Sequence, residues 1–170
     1  DTLATIIFSS GSTGMPKGIM LSHFNITSNI RSFRQAINLW PGERVLGTLP
    51  FFHSFGYTVC LWGSATGPFG VVYHPNPLDL KALGKIIPHK KISLMITTPT
   101  FLKNYMRHFP PETFGSINGI ITGAEKLTEP LRNSCHDKFG IKPFQGYGAT
   151  ECAPAISLNV SDFRAAGLHQ

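Results

Sequence analysis

A stretch of ten residues near the start of the chain brings together the groups that bind phosphate. It contains four hydroxyl side chains, three glycines, a proline and a lysine, in the order Ser9, Ser10, Gly11, Ser12, Thr13, Gly14, Met15, Pro16, Lys17, Gly18. Glycines let the backbone approach a ligand closely, and hydroxyls, free N–H groups and a lysine ammonium surround phosphate oxygens. A Gly/Ser surface turn has a similar composition, but the Pro-Lys-Gly ending and the apolar run before it favour a polyphosphate loop.

The elements on either side of this loop distinguish it from the usual P-loop. Residues 3–8 form an apolar run that predicts a buried strand, and residues 19–21 predict a second strand. The P-loop motif ends in Gly-Lys-Ser/Thr where a helix begins, whereas Lys17 stands between Pro16 and Gly18. The loop is therefore expected to join two strands and to bind phosphate without a helix N-terminus.

A second motif combines an aromatic ring, a hydroxyl and a carboxylate directly after a short predicted strand. Its residues are Gly146, Tyr147, Gly148, Ala149, Thr150 and Glu151. An aromatic face stacks on a purine, a threonine hydroxyl bonds a phosphate, and a carboxylate is a hard oxygen ligand for Mg²⁺. A tyrosine-bearing turn with a helix cap is the structural alternative, and the presence of the first loop favours a nucleotide site.

Two further loops also follow predicted strands. Gly123 and Ala124 are small enough for a ligand to approach their backbone, whereas Glu125 and Lys126 fit a surface ion pair equally well. Residues 50–56 place His53 among aromatic side chains, where a histidine can line a substrate tunnel or simply pack in the core. Its position after a strand favours a role in the site.

Strands and helices alternate along the rest of the chain. The patterns predict helices at about residues 23–39, 55–65, 79–87, 99–108 and 128–140, and strands at residues 44–49, 70–73, 92–97, 117–122, 144–147 and 155–158. This alternation is typical of βαβ units, so the predicted fold class is α/β, a mainly parallel sheet with flanking helices. Ligands gather at the carboxyl ends of such strands, where the motifs after Phe8, Leu49 and Thr122 and around Tyr147 are expected to meet.

The first loop and the 146–151 motif together resemble the two signatures of the acyl-adenylate-forming (AMP-binding) superfamily. This superfamily includes acyl-CoA synthetases, acyl-carrier-protein synthetases, peptide-synthetase adenylation domains and beetle luciferases. The resemblance implies that ATP and Mg²⁺ are the cofactors. It assigns phosphate binding to Ser9, Ser10, Gly11, Ser12, Thr13, Gly14 and Lys17. It assigns the adenine environment to Gly123, Ala124, Gln145, Gly146 and Tyr147. It implies that Thr150 bonds the α-phosphate, that Glu151 binds Mg²⁺ and that His53 lies beside the reacting carboxylate.

A narrower resemblance covers nearly the whole chain. Residues 52–59 and 72–79 look like the bacterial acyl-acyl-carrier-protein synthetase/2-acylglycerophosphoethanolamine acyltransferase group, and the chain also resembles long-chain fatty acid-CoA ligases. The implied reaction is ATP-dependent activation of a long-chain fatty acid to acyl-AMP, followed by transfer to the thiol of CoA or acyl carrier protein. Aryl or amino acids are the alternative substrates, and a non-catalytic nucleotide-binding domain is the alternative function.

The resemblance also predicts that residues 1–170 form a single partial AMP-binding domain, the central piece of the adenylating-enzyme N-terminal domain. The family's ribose-binding aspartate, its C-terminal lid domain with the adenylation lysine and its N-terminal part have no counterpart in these 170 residues. We therefore expect the fragment itself to be inactive, and the activity to belong to a longer parent protein.

Charge and cysteine content narrow the possible environments. The formal net charge of +6 suits nucleotide or acidic partners, although it is spread over the sequence and equally fits a solvated surface. The scattered lysines resemble no nucleic-acid module. Three cysteines without metal-type spacing favour a reduced, cytoplasmic protein. Contact with the inner face of the membrane is expected only through other parts of the parent protein.

Overall fold

The computed structural model describes residues 2–10 and 14–159, except for the side chain of Ser10. Within this part, eight strands form two sheets. The smaller sheet is a hairpin of β1 Leu3–Ser10 and β2 Pro16–Ser22. The larger sheet contains β3 Arg44–Gly47, β4 Gly70–Tyr73, β5 Leu94–Thr97, β6 Gly119–Thr122, β7 Phe144–Gly148 and β8 Ala155–Leu158. Its spatial order is β4-β3-β5-β6-β7-β8.

The larger sheet confirms the predicted α/β class. The pairs β3–β4, β3–β5, β5–β6 and β6–β7 are parallel, and β8 is antiparallel to β7. Every residue of β5 and of β6 is buried. Strands that are covered on both faces are expected to be mostly apolar, which explains the apolar runs Leu94–Ile96 and Ile120–Ile121; each of the two strands ends in a buried threonine, Thr97 or Thr122.

Helices cover both faces of this sheet. They are α1 His23–Ile37, α2 Gly63–Thr66, α3 Leu80–His89, α4 Pro99–His108 and α5 Glu129–Phe139. A π-helical segment, Gly56–Trp62, leads directly into α2, so the helix predicted over residues 55–65 is present in a wider form. Among the described helices, none combines the length and the apolar character that crossing a bilayer requires.

The alternation of side chains along the strands divides the core into two layers. Met95 and Ile120 pack against residues of α3, α4 and α5. Ile96 and Ile121, one position further along, pack against α1 and the π-helical segment on the opposite face. Successive side chains of a strand point to opposite faces, so each strand contributes to both layers.

Local signals fix the ends of several helices. Ser22 caps α1 in a capping box with Asn25, as the Ser-x-x-Asn spacing allows. The carboxylate of Asp79 accepts a hydrogen bond from the Ala82 N–H at 3.0 Å at the start of α3. Gly140 ends α5 with a φ of 74°, in the left-handed region that favours glycine.

The hairpin corrects two expectations. Residues 3–8 predict a buried strand, but within β1 Leu3, Ile6 and Phe8 are 54%, 48% and 71% exposed, and Ile7 is buried. The physical reason is that this small sheet buries one face only, where Ile7 and Leu21 pack against Ile26 and Ile30 of α1. Among the described strands β1 pairs with β2 alone. The first loop therefore does not follow a strand of the parallel sheet, although it joins two strands as predicted.

Candidate functional site

A cleft of about 210 Å³ opens at the carboxyl ends of β6 and β7. Three of the four predicted loops contribute to it, because the carboxyl ends of neighbouring parallel strands lie at one edge of the sheet. Its lining contains six predicted site residues, namely His53, Gly123, Ala124, Gly146, Tyr147 and Thr150. Six residues from three separate segments of the chain therefore line one cleft.

Tyr147 forms one wall of the cleft at the end of β7. Its side chain is 66% exposed, so its aromatic face is open to a ligand. The glycine that follows is required by packing, since a Cβ on Gly148 would lie 2.4 Å from the carbonyl oxygen of Pro154. Gly146 also lines the cleft. A Cβ on this residue would lie 3.5 Å from the side chain of Leu158 in β8. The two glycines on either side of Tyr147 thus allow β8 to lie close to β7.

The loop after β6 forms a second wall. A Cβ on Gly123 would lie 2.9 Å from the ring of Phe55, so a larger residue there would have to displace this aromatic side chain. Ala124 has a φ of 67°, an uncommon conformation for a residue with a side chain. The carboxylate of Glu125 accepts hydrogen bonds from the N–H and hydroxyl of Thr100, at 3.2 and 2.6 Å. Glu125 therefore caps α4 instead of pairing with Lys126.

The loop after β3 supplies polar groups to the mouth of the cleft. The hydroxyls of Ser54 and Thr150 lie 3.2 Å apart and share a hydrogen bond across two loops. The N–H of Phe55 donates to Nδ1 of His53 at 3.2 Å. Because Nδ1 accepts this bond, the proton of the neutral imidazole is on Nε2. His53 is exposed, so this N–H can donate to a ligand in the cleft.

Two other predicted residues lie beside the cleft without lining it. Gln145 is exposed, and its carbonyl oxygen accepts a hydrogen bond from the Asn159 N–H at 3.3 Å. Glu151 is exposed in the 3₁₀ turn Thr150–Cys152, next to the cleft-lining Thr150. In the described residues, no group of three or more His, Cys, Asp or Glu side chains gathers as a metal cage.

The predicted phosphate loop lies on the hairpin. Ser9 pairs with Lys17 across β1 and β2, and Lys17 is exposed. Gly14 has a φ of 81°, which explains the need for glycine there. Gly11, Ser12, Thr13 and the Ser10 side chain lie outside the described residues. None of the described loop residues, Ser9, Gly14 and Lys17, is part of the cleft lining.

The family profile described as AMP-binding enzyme matches residues 1–168. The chain belongs to the AMP-binding enzyme family. It is similar to a long-chain-fatty-acid–CoA ligase from Bacillus subtilis, with 30% identity over 92% of this chain and 29% of the ligase. It is also similar to a feruloyl-CoA synthase from an Amycolatopsis species, with 30% identity over 92% of this chain and 32% of the synthase. The chain thus spans about a third of the length of these relatives.

Solved structures of the AMP-binding family share this fold. O-succinylbenzoate coenzyme A synthetase from Bacillus subtilis, in complex with ATP and magnesium ion, matches with a TM-score of 0.83 and 27% identity, over 95% of this chain and 33% of that chain. ATP-bound MatB from Rhodopseudomonas palustris matches with a TM-score of 0.83 and 26% identity, over 92% of this chain and 31% of that chain.

In this AMP-binding chain, part of the cleft lining was missed by sequence reasoning. Phe33 of α1 and the β8 segment line the cleft opposite the predicted loops, through Pro154, Ala155, Ser157 and Leu158. A strand was predicted at residues 155–158, but its antiparallel return beside β7 leaves no local signal. Ser54 belongs to the predicted 50–56 loop, and its contact with Thr150 depends on tertiary structure.

The cysteines take no part in the cleft lining. Burial raises the pKa of the Cys60 thiol to about 12 and that of the Cys135 thiol to about 12. A thiolate is the reactive form of cysteine, so these two side chains are chemically inert at neutral pH. Cys152 is exposed beside Glu151. The prediction that no cysteine is catalytic stays a prediction.

Proposed function

We propose that the parent protein of this chain uses ATP to convert a carboxylic acid into acyl-AMP and then transfers the acyl group to a thiol. The observation that carries this proposal is the joining of Tyr147, the Gly123–Ala124 backbone and the Ser54–Thr150 pair in one cleft. These features suit a nucleotide: an open aromatic face, a backbone wall without bulky side chains, and a hydroxyl at the rim. The phosphates of this nucleotide would extend out of the cleft toward the loop of residues 9–18.

The nucleoside would occupy the cleft itself. A volume of about 210 Å³ is smaller than the roughly 300–1,000 Å³ of a pocket that encloses a drug-sized ligand. The cleft is therefore suited to adenine and part of the ribose, with the phosphates outside it. Adenine would stack on Tyr147, with the backbone at Gly123, Ala124, Gln145 and Gly146 along its edges.

The phosphates would extend from Thr150 toward the hairpin. Thr150 would bond the α-phosphate, and Ser9, Ser10, Gly11, Ser12, Thr13, Gly14 and Lys17 would surround the β- and γ-phosphates. Glu151 is a single exposed carboxylate. This fits Mg²⁺, which is commonly held by one or two carboxylates together with substrate phosphates. When bound, Mg²⁺ would offset the negative charge of the phosphates.

The repulsion between two anions is the main barrier to the first half-reaction. A carboxylate oxygen bonds to the α-phosphorus, the bond to the β-phosphate oxygen breaks, and pyrophosphate leaves. Lys17 and the loop N–H groups would stabilise the charge on this leaving group. The Nε2–H of His53 would orient the carboxylate at the cleft mouth. In the second half-reaction a thiol sulfur bonds to the acyl carbon and AMP leaves.

We propose a long-chain fatty acid as the substrate. The similarity to the Bacillus subtilis long-chain-fatty-acid–CoA ligase supports this class, whereas the similarity to feruloyl-CoA synthase supports an aryl acid as the alternative. The names of both relatives support CoA as the thiol. Acyl carrier protein remains the second candidate acceptor, on the resemblance of residues 52–59 and 72–79.

We also propose that residues 1–170 alone do not catalyse the reaction. The proposed phosphate and adenine groups are within this chain, but its length is about a third of that of the relatives it matches. The expected result is no release of pyrophosphate by the isolated chain with Mg-ATP and any acid. Robust acyl-AMP formation by residues 1–170 would falsify this part of the proposal.

The test of the main proposal is ATP–pyrophosphate exchange by the parent protein, with panels of fatty, aryl and amino acids. We expect exchange that depends on a long-chain fatty acid and that falls about 10²–10³-fold in Lys17→Ala and in Glu151→Ala, because each removes a charge that acts at the phosphates. Lys126→Ala is the matched control. Lys126 is an exposed lysine that lies outside both the cleft lining and the proposed phosphate loop, so its removal should leave exchange unchanged.

Each alternative gives a distinct outcome in this assay. If exchange occurs with aryl or amino acids but not with fatty acids, the proposed substrate class is wrong and the proposed adenylating role still holds. Measurable Mg-ATP binding without exchange for any acid would favour a non-catalytic nucleotide-binding domain. Equal losses in Lys17→Ala and Lys126→Ala would contradict the assignment of Lys17 to the phosphates.

A further inference from the structure

Asn29 lies on α1, outside the cleft lining, yet it binds the segment that follows the Thr150–Cys152 turn. Its side-chain nitrogen donates hydrogen bonds to the carbonyl oxygen of Cys152 at 3.1 Å and to that of Ala155 at 2.8 Å. Its side-chain oxygen accepts a hydrogen bond from the N–H of Ala155 at 3.2 Å. Both N–H donors and the oxygen of this amide are therefore used by one backbone segment.

The position of this amide matters because the two halves of the proposed ATP site stand on different sheets. The phosphate loop lies on the β1–β2 hairpin, and Tyr147 and Thr150 lie at the edge of the larger sheet. No strand pairing joins the two sheets in the described residues. Helix α1 begins directly after β2 and shares an apolar cluster with the hairpin and with Ala153. Asn29 adds directional bonds beside this apolar cluster.

We propose that Asn29 is a positioning residue that sets the spacing between Lys17 on β2 and the Thr150–Glu151 turn. This inference rests on the proposed function, because it matters only if one ATP molecule contacts both. Asn29 touches neither nucleotide nor acid. It acts by fixing residues 152–155 against α1, and α1 in turn is continuous with the strand that carries Lys17.

The chemistry of the amide explains why other side chains fail at this position. Alanine leaves two carbonyl oxygens and one N–H without their partner, and unpaired polar groups at a half-buried site weaken the junction. An aspartate at position 29 has the same shape but lacks both donors, and its charge would face the carbonyl oxygens of Cys152 and Ala155. Glutamine keeps the groups but places them one methylene further along.

The test compares ligands that need one half of the site with ligands that need both. Equilibrium binding of Mg-ATP and of adenosine is measured on the parent protein and on Asn29→Ala. We expect the dissociation constant of Mg-ATP to rise about tenfold, in line with the loss of hydrogen bonds that align the two halves. That of adenosine should change less than about twofold, because β8 pairs directly with Gly146 and Tyr147, and β6 pairs with the start of β7 at Phe144 and Gln145.

Ser28→Ala is the matched control. Ser28 precedes Asn29 on the same helix, and its hydroxyl donates to the carbonyl oxygen of Asn25 at 3.1 Å, within α1 itself. Its removal tests the effect of altering the helix without touching the junction, and we expect unchanged affinity for both ligands. In Lys17→Ala, which already lacks the phosphate contact, the further loss from Asn29→Ala should shrink.

Asn29→Asp supplies a second signature. The charged form should weaken Mg-ATP binding more than Asn29→Ala does. Lowering the pH should restore part of the affinity, because a protonated carboxyl regains one O–H donor for a carbonyl oxygen. The unmodified protein has an amide at this position, so its affinity for Mg-ATP should not show this gain as the pH is lowered.

Three outcomes overturn the inference. Equal weakening of ATP and adenosine in Asn29→Ala means that the residue supports the cleft as a whole, and unchanged ATP affinity means that the junction needs no polar link. Absence of ATP binding in the unmodified protein overturns the inference and the proposed function together. By contrast, tight ATP binding that Lys17→Ala leaves intact removes only Lys17 from the proposed phosphate contacts, and the comparison of ATP with adenosine still decides on Asn29.

Discussion

The β1–β2 hairpin and the six-stranded sheet give their loops very different support. All residues of the central strands β5 and β6 are buried, whereas the hairpin leaves Ile6, Phe8 and Met20 about half or more exposed. A two-stranded sheet has little stability of its own in water. The adenine side of the proposed site thus rests on a packed layer, and the phosphate side rests on a small unit that is held by α1 and by contact of β2 with the Thr150–Cys152 turn.

Because of this difference, the two regions should contribute unequally to folding stability, although the proposed function needs both. Substitutions in the larger sheet should act on the stability of the whole chain, because its strands contribute to both core layers. Substitutions on the open face of the hairpin should change stability little. The proposed ATP chemistry nevertheless needs both regions, since Lys17 is on one and Thr150 on the other.

The largest contrast is expected from one substitution made in both regions, isoleucine to alanine. Ile96 is fully buried in β5, and its truncation should lower the free energy of unfolding by about 2–5 kcal/mol, because a cavity remains in the core. Ile6 is 48% exposed in β1, so Ile6→Ala should cost less than about 1 kcal/mol.

Urea denaturation of chain 1–170, followed by circular dichroism, measures both values. The identical change in side-chain chemistry makes each variant the control for the other. Comparable losses for the two variants would contradict the division into a packed sheet and an open hairpin.

A smaller contrast is expected from adding one methyl group to a glycine in each region. A Cβ on Gly148 would lie 2.4 Å from the Pro154 carbonyl oxygen, and the backbone of β8 must move to accept it. A Cβ on Gly18 would meet the side-chain Cγ2 of Ile6 at 3.0 Å, and that side chain can rotate away on the exposed face.

We expect Gly148→Ala to destabilise the chain by about 1–3 kcal/mol, the usual cost of overpacking, and to weaken adenosine binding in the parent protein because Tyr147 moves with β7. Gly18→Ala should stay within about 1 kcal/mol of the unmodified chain and keep adenosine affinity. Both effects are measured by denaturation and equilibrium binding. If Gly148→Ala is destabilised but keeps its affinity for adenosine, then adenosine binding does not depend on the register of β7 and β8.

The same comparison explains which parts of the fold the sequence predicts. Helices were located well because their ends carry chemical signals, such as Asp79 at the start of α3 and Gly140 after α5. The parallel sheet followed from alternation, and topology then brought three loops to one edge. The exposed face of β1 could not be predicted, because residues 3–8 are apolar on both sides of the strand and their periodicity does not reveal which face is covered.

Prediction of the site was limited by long-range contacts. His53, Gly123, Tyr147 and Thr150 carry recognisable chemistry, so their separate motifs pointed to a shared cleft. Asn29 has an ordinary position on a helix, and only the packing of α1 against residues 152–155 distinguishes it. The contact between Ser54 and Thr150 joins residues that are far apart in the chain. Such partners are determined by packing, and the local pattern contains no trace of them.

The smallest expected effect concerns the junction between the two regions, for which Cys152 is a reporter. Burial raises the pKa of Cys60 and of Cys135 to about 12. At pH 8 roughly one part in ten thousand of each is therefore thiolate, the form that reacts. Cys152 is exposed in the turn beside Glu151. Peptide mapping after a short maleimide treatment of the parent protein should find Cys152 modified and the other two unmodified.

Two further changes test the origin of this selectivity. Raising the pH toward 12 should accelerate labelling of Cys60 and Cys135 about tenfold per unit while the fold persists, because each step increases the thiolate fraction by that factor. Mg-ATP should slow the labelling of Cys152 a few-fold and leave the buried pair unchanged. Protection of Cys60 with no change at Cys152 would place the nucleotide away from the Thr150–Glu151 turn. Slower labelling at Cys152 alone would tie the turn to nucleotide binding, as expected if both sheets contact one ATP.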